Sequence, residues 1–132
     1  MNTAMKIFAF LLAITLSVAA CQNHADDTDP GIFDLKVDNA ISLSGEGEHQ
    51  LGTVATFSMN LSDNRGLDEF QVDVNGSLDY TENLEGTTAG VSYPFTVDAD
   101  SYDVGDRIEI VFIVEDGFGN TFARPYYMTI VE

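Results

Sequence analysis

Residues 70–80 read Phe-Gln-Val-Asp-Val-Asn-Gly-Ser-Leu-Asp-Tyr, and this stretch decides the fold. Phe70, Val72 and Val74 alternate with polar residues, the period-2 pattern of a strand with one buried face. Asn75-Gly76 follows, the dipeptide best suited to a type I′ hairpin, because both central residues of that turn need positive φ. Leu78 and Tyr80 resume the alternation on the return strand.

The same pattern extends in both directions. Phe33, Leu35 and Val37 alternate upstream, and Ala55, Phe57, Met59 and Leu61 mark one face of residues 53–61. Val91, Tyr93, Phe95 and Val97 share one side of residues 91–97, where Pro94 points to an edge strand or a bulge. In residues 107–115, Ile108, Ile110, Phe112 and Val114 form one face. Val111 and Ile113 on the other face predict a central strand covered on both sides. Phe122, Tyr126, Met128 and Ile130 alternate in residues 121–131. From Ile32 onward no helical periodicity is sustained over ten residues. Seven short strands separated by regular turns predict an all-β, seven-stranded antiparallel sandwich of the immunoglobulin or fibronectin III-like type over residues 32–132. One Cys and no Trp exclude the disulfide and buried Trp of an antibody-type domain.

With 45% hydrophobic and 20% charged residues, the 132-residue chain has the composition of one folding domain. Its 22 acids against 5 Lys plus Arg give a formal charge of −17. That balance excludes phosphate-reading nucleic-acid binders, which need a basic face, and basic helices that lie on membranes. A single Cys excludes a disulfide framework and a multi-cysteine zinc site.

The N-terminus reads as an address. Lys6 precedes an uncharged run of 14 residues, Ile7 to Ala20. As a helix this run spans roughly 21 Å, short of the ~30 Å hydrocarbon core, so residues 1–20 are expected to be a signal peptide. Val18-Ala19-Ala20-Cys21 resembles the bacterial lipobox, an aliphatic residue and two small residues before a lipid-accepting Cys. The resemblance implies cleavage before Cys21, diacylglyceryl attachment at its thiol and a membrane-held mature protein. Residues 21–31 then form the lipidated N-terminus and an acidic, flexible tether ending in Pro30-Gly31. Gln22, where inner-membrane retention signals carry Asp, favours an outer-membrane address. Asp26-Asp27 resembles the surface-export signals of Bacteroidota-type lipoproteins, and a solvated linker has the same composition.

Three turn motifs carry a second resemblance. They are Asp63-Asn64-Arg65-Gly66-Leu67, Val104-Gly105-Asp106, and the run from Val114 through Glu115-Asp116-Gly117-Phe118-Gly119 to Asn120. Together they resemble the bacterial Ig-like domains of small lipoproteins, in particular an uncharacterised lipoprotein family of Bacteroidota. The resemblance implies a fold and a cell-envelope location, and no activity.

Catalytic chemistry finds little support. Cys21 is assigned to lipid, and His49, in the polar Gly45–Gly52 stretch, reads as a surface-loop residue with no nucleophile elbow beside it. Carboxylate pairs are expected by number alone, and no Trp offers a sugar platform. Tyr80, Tyr93, Tyr102, Tyr126 and Tyr127 can stack on a sugar, though Tyr in strands usually packs. Asp98, Asp100, Asp103 and Asp106 do not follow EF-hand spacing and read as a solvated turn.

Topology offers one candidate metal site. In such a sandwich the 63–68 and 116–120 loops fall at one end, bringing Asp63, Asn64, Asp68, Asp116 and Asn120 together as hard oxygen ligands for calcium. The same residues are also the usual turn formers, which cap backbone N–H groups. No organic cofactor is expected. The expected function is a non-catalytic binding or adhesion module, lipid-anchored in the cell envelope, with a protein or glycan ligand. The alternative is a structural accessory subunit of an outer-membrane or surface complex. A carboxylate enzyme acting on polysaccharide ranks last.

Overall fold

The Asn75-Gly76 hairpin forms as its sequence requires: φ is 50° at Asn75 and 81° at Gly76, and Val74 faces Ser77 across the turn. The protein is represented by a computed structural model, which describes residues 28–38 and 40–132. Among these residues the strands are β1 (Gly31–Val37), β2 (Ala40–Ile41), β3 (Glu46–Gln50), β4 (Val54–Ser62), β5 (Leu67–Val74), β6 (Ser77–Asn83), β7 (Thr88–Thr96), β8 (Arg107–Asp116) and β9 (Thr121–Val131). They form two sheets, ordered β2-β1-β4-β7 and β3-β9-β8-β5-β6, packed as an immunoglobulin-like sandwich. No helix among the described residues is long and apolar enough to cross a membrane.

The expected count of seven strands is corrected to eight strands of five residues or more, plus the two-residue β2. The missed full strand is β3, which pairs parallel with β9 from Glu46↔Tyr127 to Gln50↔Val131. All other strand pairs are antiparallel. A second correction concerns β8. It is central in its sheet, but Val111 and Ile113 on its outer face are half-buried, shielded by Pro125 and Ala123 of β9 and Asp73 and Gln71 of β5 rather than by another layer.

The alternating apolar faces meet in one core. Phe57 of β4 sits at its centre, with ring centroids 5.0 Å from Tyr126, 5.2 Å from Phe112 and 6.4 Å from Tyr93. Phe112 stacks on Phe70 at 6.3 Å. Burying side chains of this size supplies about 1.5–3 kcal/mol each, and aromatic pairing adds to it. Across the β6/β7 side, the Tyr93 hydroxyl donates to the Asp79 carboxylate and ties the two sheets together. Asp79 is presented by a bulge between the Val72↔Tyr80 and Asp73↔Leu78 pairs.

Pro94 lies on β7, an edge strand, as its sequence context predicts. The Val97 N–H bonds Thr53 O, and the Asp63 N–H bonds Thr87 O. With the unbroken β4–β7 register, odd-numbered β7 residues therefore bond β4 and even-numbered ones face the open edge. The Pro94 nitrogen, which lacks a hydrogen, is one of those facing out.

The chain enters at one end of the sandwich, where Gly31 pairs Ser62 and the 62–67, 83–88 and 116–121 connections gather. The opposite end holds the 51–53, 75–76 and 97–106 connections and the C-terminus.

Candidate functional site

The two loops predicted to converge do so at the entry end. Leu67 pairs with Asp116, and the Gly117 N–H donates to Gly66 O at 3.1 Å. Each loop is built around a buried aspartate. Asp63 is 7% exposed, and its Oδ2 accepts the N–H of Arg65 at 2.7 Å and of Gly66 at 2.8 Å. Asp116 is fully buried. Its Oδ1 accepts the N–H of Phe118 at 2.8 Å and of Asn120 at 2.9 Å, while Oδ2 accepts the Asn120 side-chain amide at 2.7 Å. These are Asx-turn bonds, in which a short side-chain acceptor replaces a backbone carbonyl.

Burial disfavours the Asp116 carboxylate, but the Asn120 amide and the backbone N–H groups of Asn120, Phe118 and Gly119 outweigh it and hold the carboxyl below its ordinary range. Asp63 keeps a different feature: its Oδ1 is buried and has no hydrogen-bond partner among the described residues. Asn64 and Asp68 are exposed. Asp68 is displaced by the register shift between Leu67 and Glu69, and its carbonyl accepts the Leu84 N–H at 2.7 Å. Of the five residues read as calcium ligands, the structure thus places Asp116 and Asn120 in mutual contact and Asp63 in the adjoining turn, with Asn64 and Asp68 turned to solvent. Among the described residues, no group of three or more His, Cys, Asp or Glu side chains is arranged to hold a metal. Phe118, exposed at the loop tip, lies under the Arg65 guanidinium at 5.5 Å.

Cys21, the signal peptide and residues 21–27 of the tether lie outside the described residues. The acids of the 97–106 loop cap their own turns: Asp98 Oδ1 accepts the Asp100 N–H at 3.0 Å, and Asp106 Oδ2 accepts the Asp103 N–H at 2.9 Å. All four remain exposed, as a solvated turn requires.

His49 is not a loop residue. It lies on β3 and is half-buried, with Nε2 2.9 Å from the Tyr126 hydroxyl. The contact depends on Gly47 between them, where an added Cβ would collide with that hydroxyl. Desolvation lowers the His49 pKa below 6.5, opposed by the Asp38 charge. Desolvation, with the same charge in support, raises that of Tyr126. The pair bridges an edge strand to the core and has no nucleophile beside it in the residues it contacts. On the outer face of the first sheet, Gly90 leaves a shallow depression of about 250 Å³ lined by Asp34, Lys36, Ser58, Asn60 and Ser92.

No family model matches the chain, and no curated protein matches it significantly. Among solved structures it is similar to the CARDB domain of a Pyrococcus furiosus protein, crystallised in complex with di-metal ions. The TM-score is 0.54 at 10% identity, over 83% of this chain and 97% of that one. At that identity the likeness establishes the immunoglobulin-like fold.

Proposed function

We propose that the chain is a non-catalytic, lipid-anchored module of the cell envelope that presents a binding or adhesion surface, most simply at the outer membrane and facing the cell exterior. The observation that supports this reading is that the N-terminal segment and the longest connection lie at opposite ends of the sandwich. The segment following Cys21 joins the sandwich at one end, and the longest connection, 97–106, stands at the other, where an anchored domain would present it outward. The immunoglobulin-like fold is compatible with a binding role, and the ligand would be a protein or glycan reached through end loops or an open strand edge. The test is fractionation of the full chain against Cys21→Ser. The anchored reading requires that the variant leave the membrane fraction or accumulate as uncut precursor. Unchanged fractionation and mass would overturn it. Crosslinking then separates a module with a free ligand from an accessory subunit, which would co-purify with a fixed assembly.

A second reading is favoured by Asp63. Its buried, unpartnered Oδ1 is an acceptor of the kind calcium uses, and the similar CARDB domain was crystallised with di-metal ions. With Asp116 occupied in its own turn, an ion between the 63–68 and 116–120 loops would draw on Asp63, backbone carbonyls and water.

A further inference from the structure

The exposed phenylalanines of the sandwich are segregated. Among the described residues Phe33, Phe118 and Phe122 are 52%, 50% and 40% exposed, and all three lie at the entry end. Phe118 tips the 116–120 turn, and Phe122 is the second residue of β9 leaving that turn. Phe33 is the third residue of β1, and its ring leans back over Gly31, where an added Cβ would meet it within 2.5 Å. The opposite end exposes the aliphatic side chains Val54, Leu78 and Val104 but no phenylalanine.

Charge does not separate the two ends: each exposes an arginine, Arg65 at the entry end and Arg107 at the far end, beside several carboxylates. The far end exposes Asp98, Asp100, Asp103 and Asp106 within nine residues. The entry end buries Asp63 and Asp116 and exposes Arg65 directly over Phe118. Asp29, Asp68 and Glu85 are also exposed there, and carboxylates of this kind stay in the headgroup layer.

We propose that this entry end, through Phe33, Phe118 and Phe122, lies against the headgroup–acyl boundary of the bilayer that holds the protein. The inference rests on the lipid-anchored reading and adds an orientation to it. Nine residues, and so ten residue-to-residue steps, separate Cys21 from Gly31, a reach of at most about 35 Å, so the end that receives the tether stays close to the surface. A short tether presents the membrane at high effective concentration, and weak burial of three rings then suffices to fix the orientation. Arg107 over Tyr127, at 4.6 Å, makes a similar pair elsewhere, so the entry end is distinguished by its exposed phenylalanine rings, side chains that settle at this interface, together with the tether. Shallow contact is all the geometry permits, because the surrounding carboxylates limit depth.

The chain contains no Trp, so one introduced indole reports on one place. Full-length lipidated Phe118→Trp and Val104→Trp would each be purified in detergent and reconstituted into phosphatidylcholine vesicles with brominated acyl chains, with Cys21→Ser as the unanchored control. Flotation reports the anchor: if the lipidated chain and Cys21→Ser float equally, the anchored reading fails and this inference with it. Given flotation that needs Cys21, the indole at position 118 is expected to shift its emission to the blue and to be quenched several-fold more than the indole at 104. Phe33→Trp should follow position 118, providing an independent reporter should that substitution disturb the turn. Equal quenching at both ends, or none at 118 and 33, overturns the orientation while leaving the anchor standing.

Discussion

The two ends of this sandwich use aspartate for the same local task with unequal consequences. At the entry end Asp63 and Asp116 cap turns from positions closed to solvent, and at the far end Asp98 and Asp106 make similar bonds in the open. Water can replace a lost acceptor at an exposed turn, whereas a buried N–H that loses its acceptor keeps its full desolvation cost. The difference lies in what surrounds the motif. Asx turns are structural keystones only where the sheets close over them.

The sharpest way to break this comparison is Asp116→Ala. It strips the acceptors from the N–H groups of Phe118 and Asn120 and from the Asn120 amide. The expected loss in chemical denaturation is about 2–4 kcal/mol. The pH dependence has a definite sign. Because the folded pKa lies below the ordinary 3.8, the contribution of Asp116 is fully present above 3.8 and is lost as pH falls through the folded value. Acid-denaturation curves of Asp116→Asn should lack that component.

Gly76→Val tests whether any feature of the far end is equally constrained. Its φ of 81° is hostile to a β-branched residue, and a loss of about 1–3 kcal/mol is expected from thermal melts. An unchanged melting temperature would mean that the hairpin tip relaxes at little cost.

Calcium sharpens the comparison further. A millimolar concentration acting on a site with Kd of about 10⁻⁴–10⁻³ M adds only about 0.4–1.4 kcal/mol. On the calcium reading proposed above, melts in calcium and in magnesium at matched ionic strength show a calcium-specific rise that disappears in Asp63→Asn. Equal shifts with both cations would leave Asp63 as a turn cap in an acidic surface. The smallest effect is expected from Asp100→Asn at the far end, within about 0.5 kcal/mol of the parent in the same melts.

The longest core strands were legible in the sequence because each buries one face in period 2. The expected Phe33-Leu35-Val37 face of β1 is corrected: a bulge between Phe33 and Lys36 breaks the alternation, burying Ile32 and Leu35 and exposing Phe33. β4, β7, β8 and β9 appear as written in their apolar residues, and Asn75-Gly76 announced its own turn. β3 was illegible for a physical reason: Glu46-Gly47-Glu48-His49-Gln50 offers no apolar alternation. Its inward positions are a glycine that makes room for Tyr126 and a histidine that bonds the same hydroxyl. That strand is held by backbone pairing with β9 and by polar contacts such as His49–Tyr126, neither of which hydropathy records. Val111 and Ile113 misled in the other direction, because flanking strands shield a central position without a further layer. The convergence of the 63–68 and 116–120 loops followed from topology. The burial of their aspartates did not, since Asp-Asn and Asp-Gly read alike in open and closed turns.

Pro94 bears on what happens when many copies share one surface. On the lipid-anchored reading proposed above, neighbouring sandwiches stand the same way up and meet side by side, which aligns their open sheet edges far better than tumbling in solution would. A long edge strand under those conditions is a template for strand-by-strand polymerisation. The Pro94 nitrogen, with no hydrogen to donate, interrupts the row of donors towards the end of β7, so an approaching neighbour finds a gap where its ladder should continue. On that reading, Pro94 opposes strand-by-strand joining along the β7 edge of neighbouring copies.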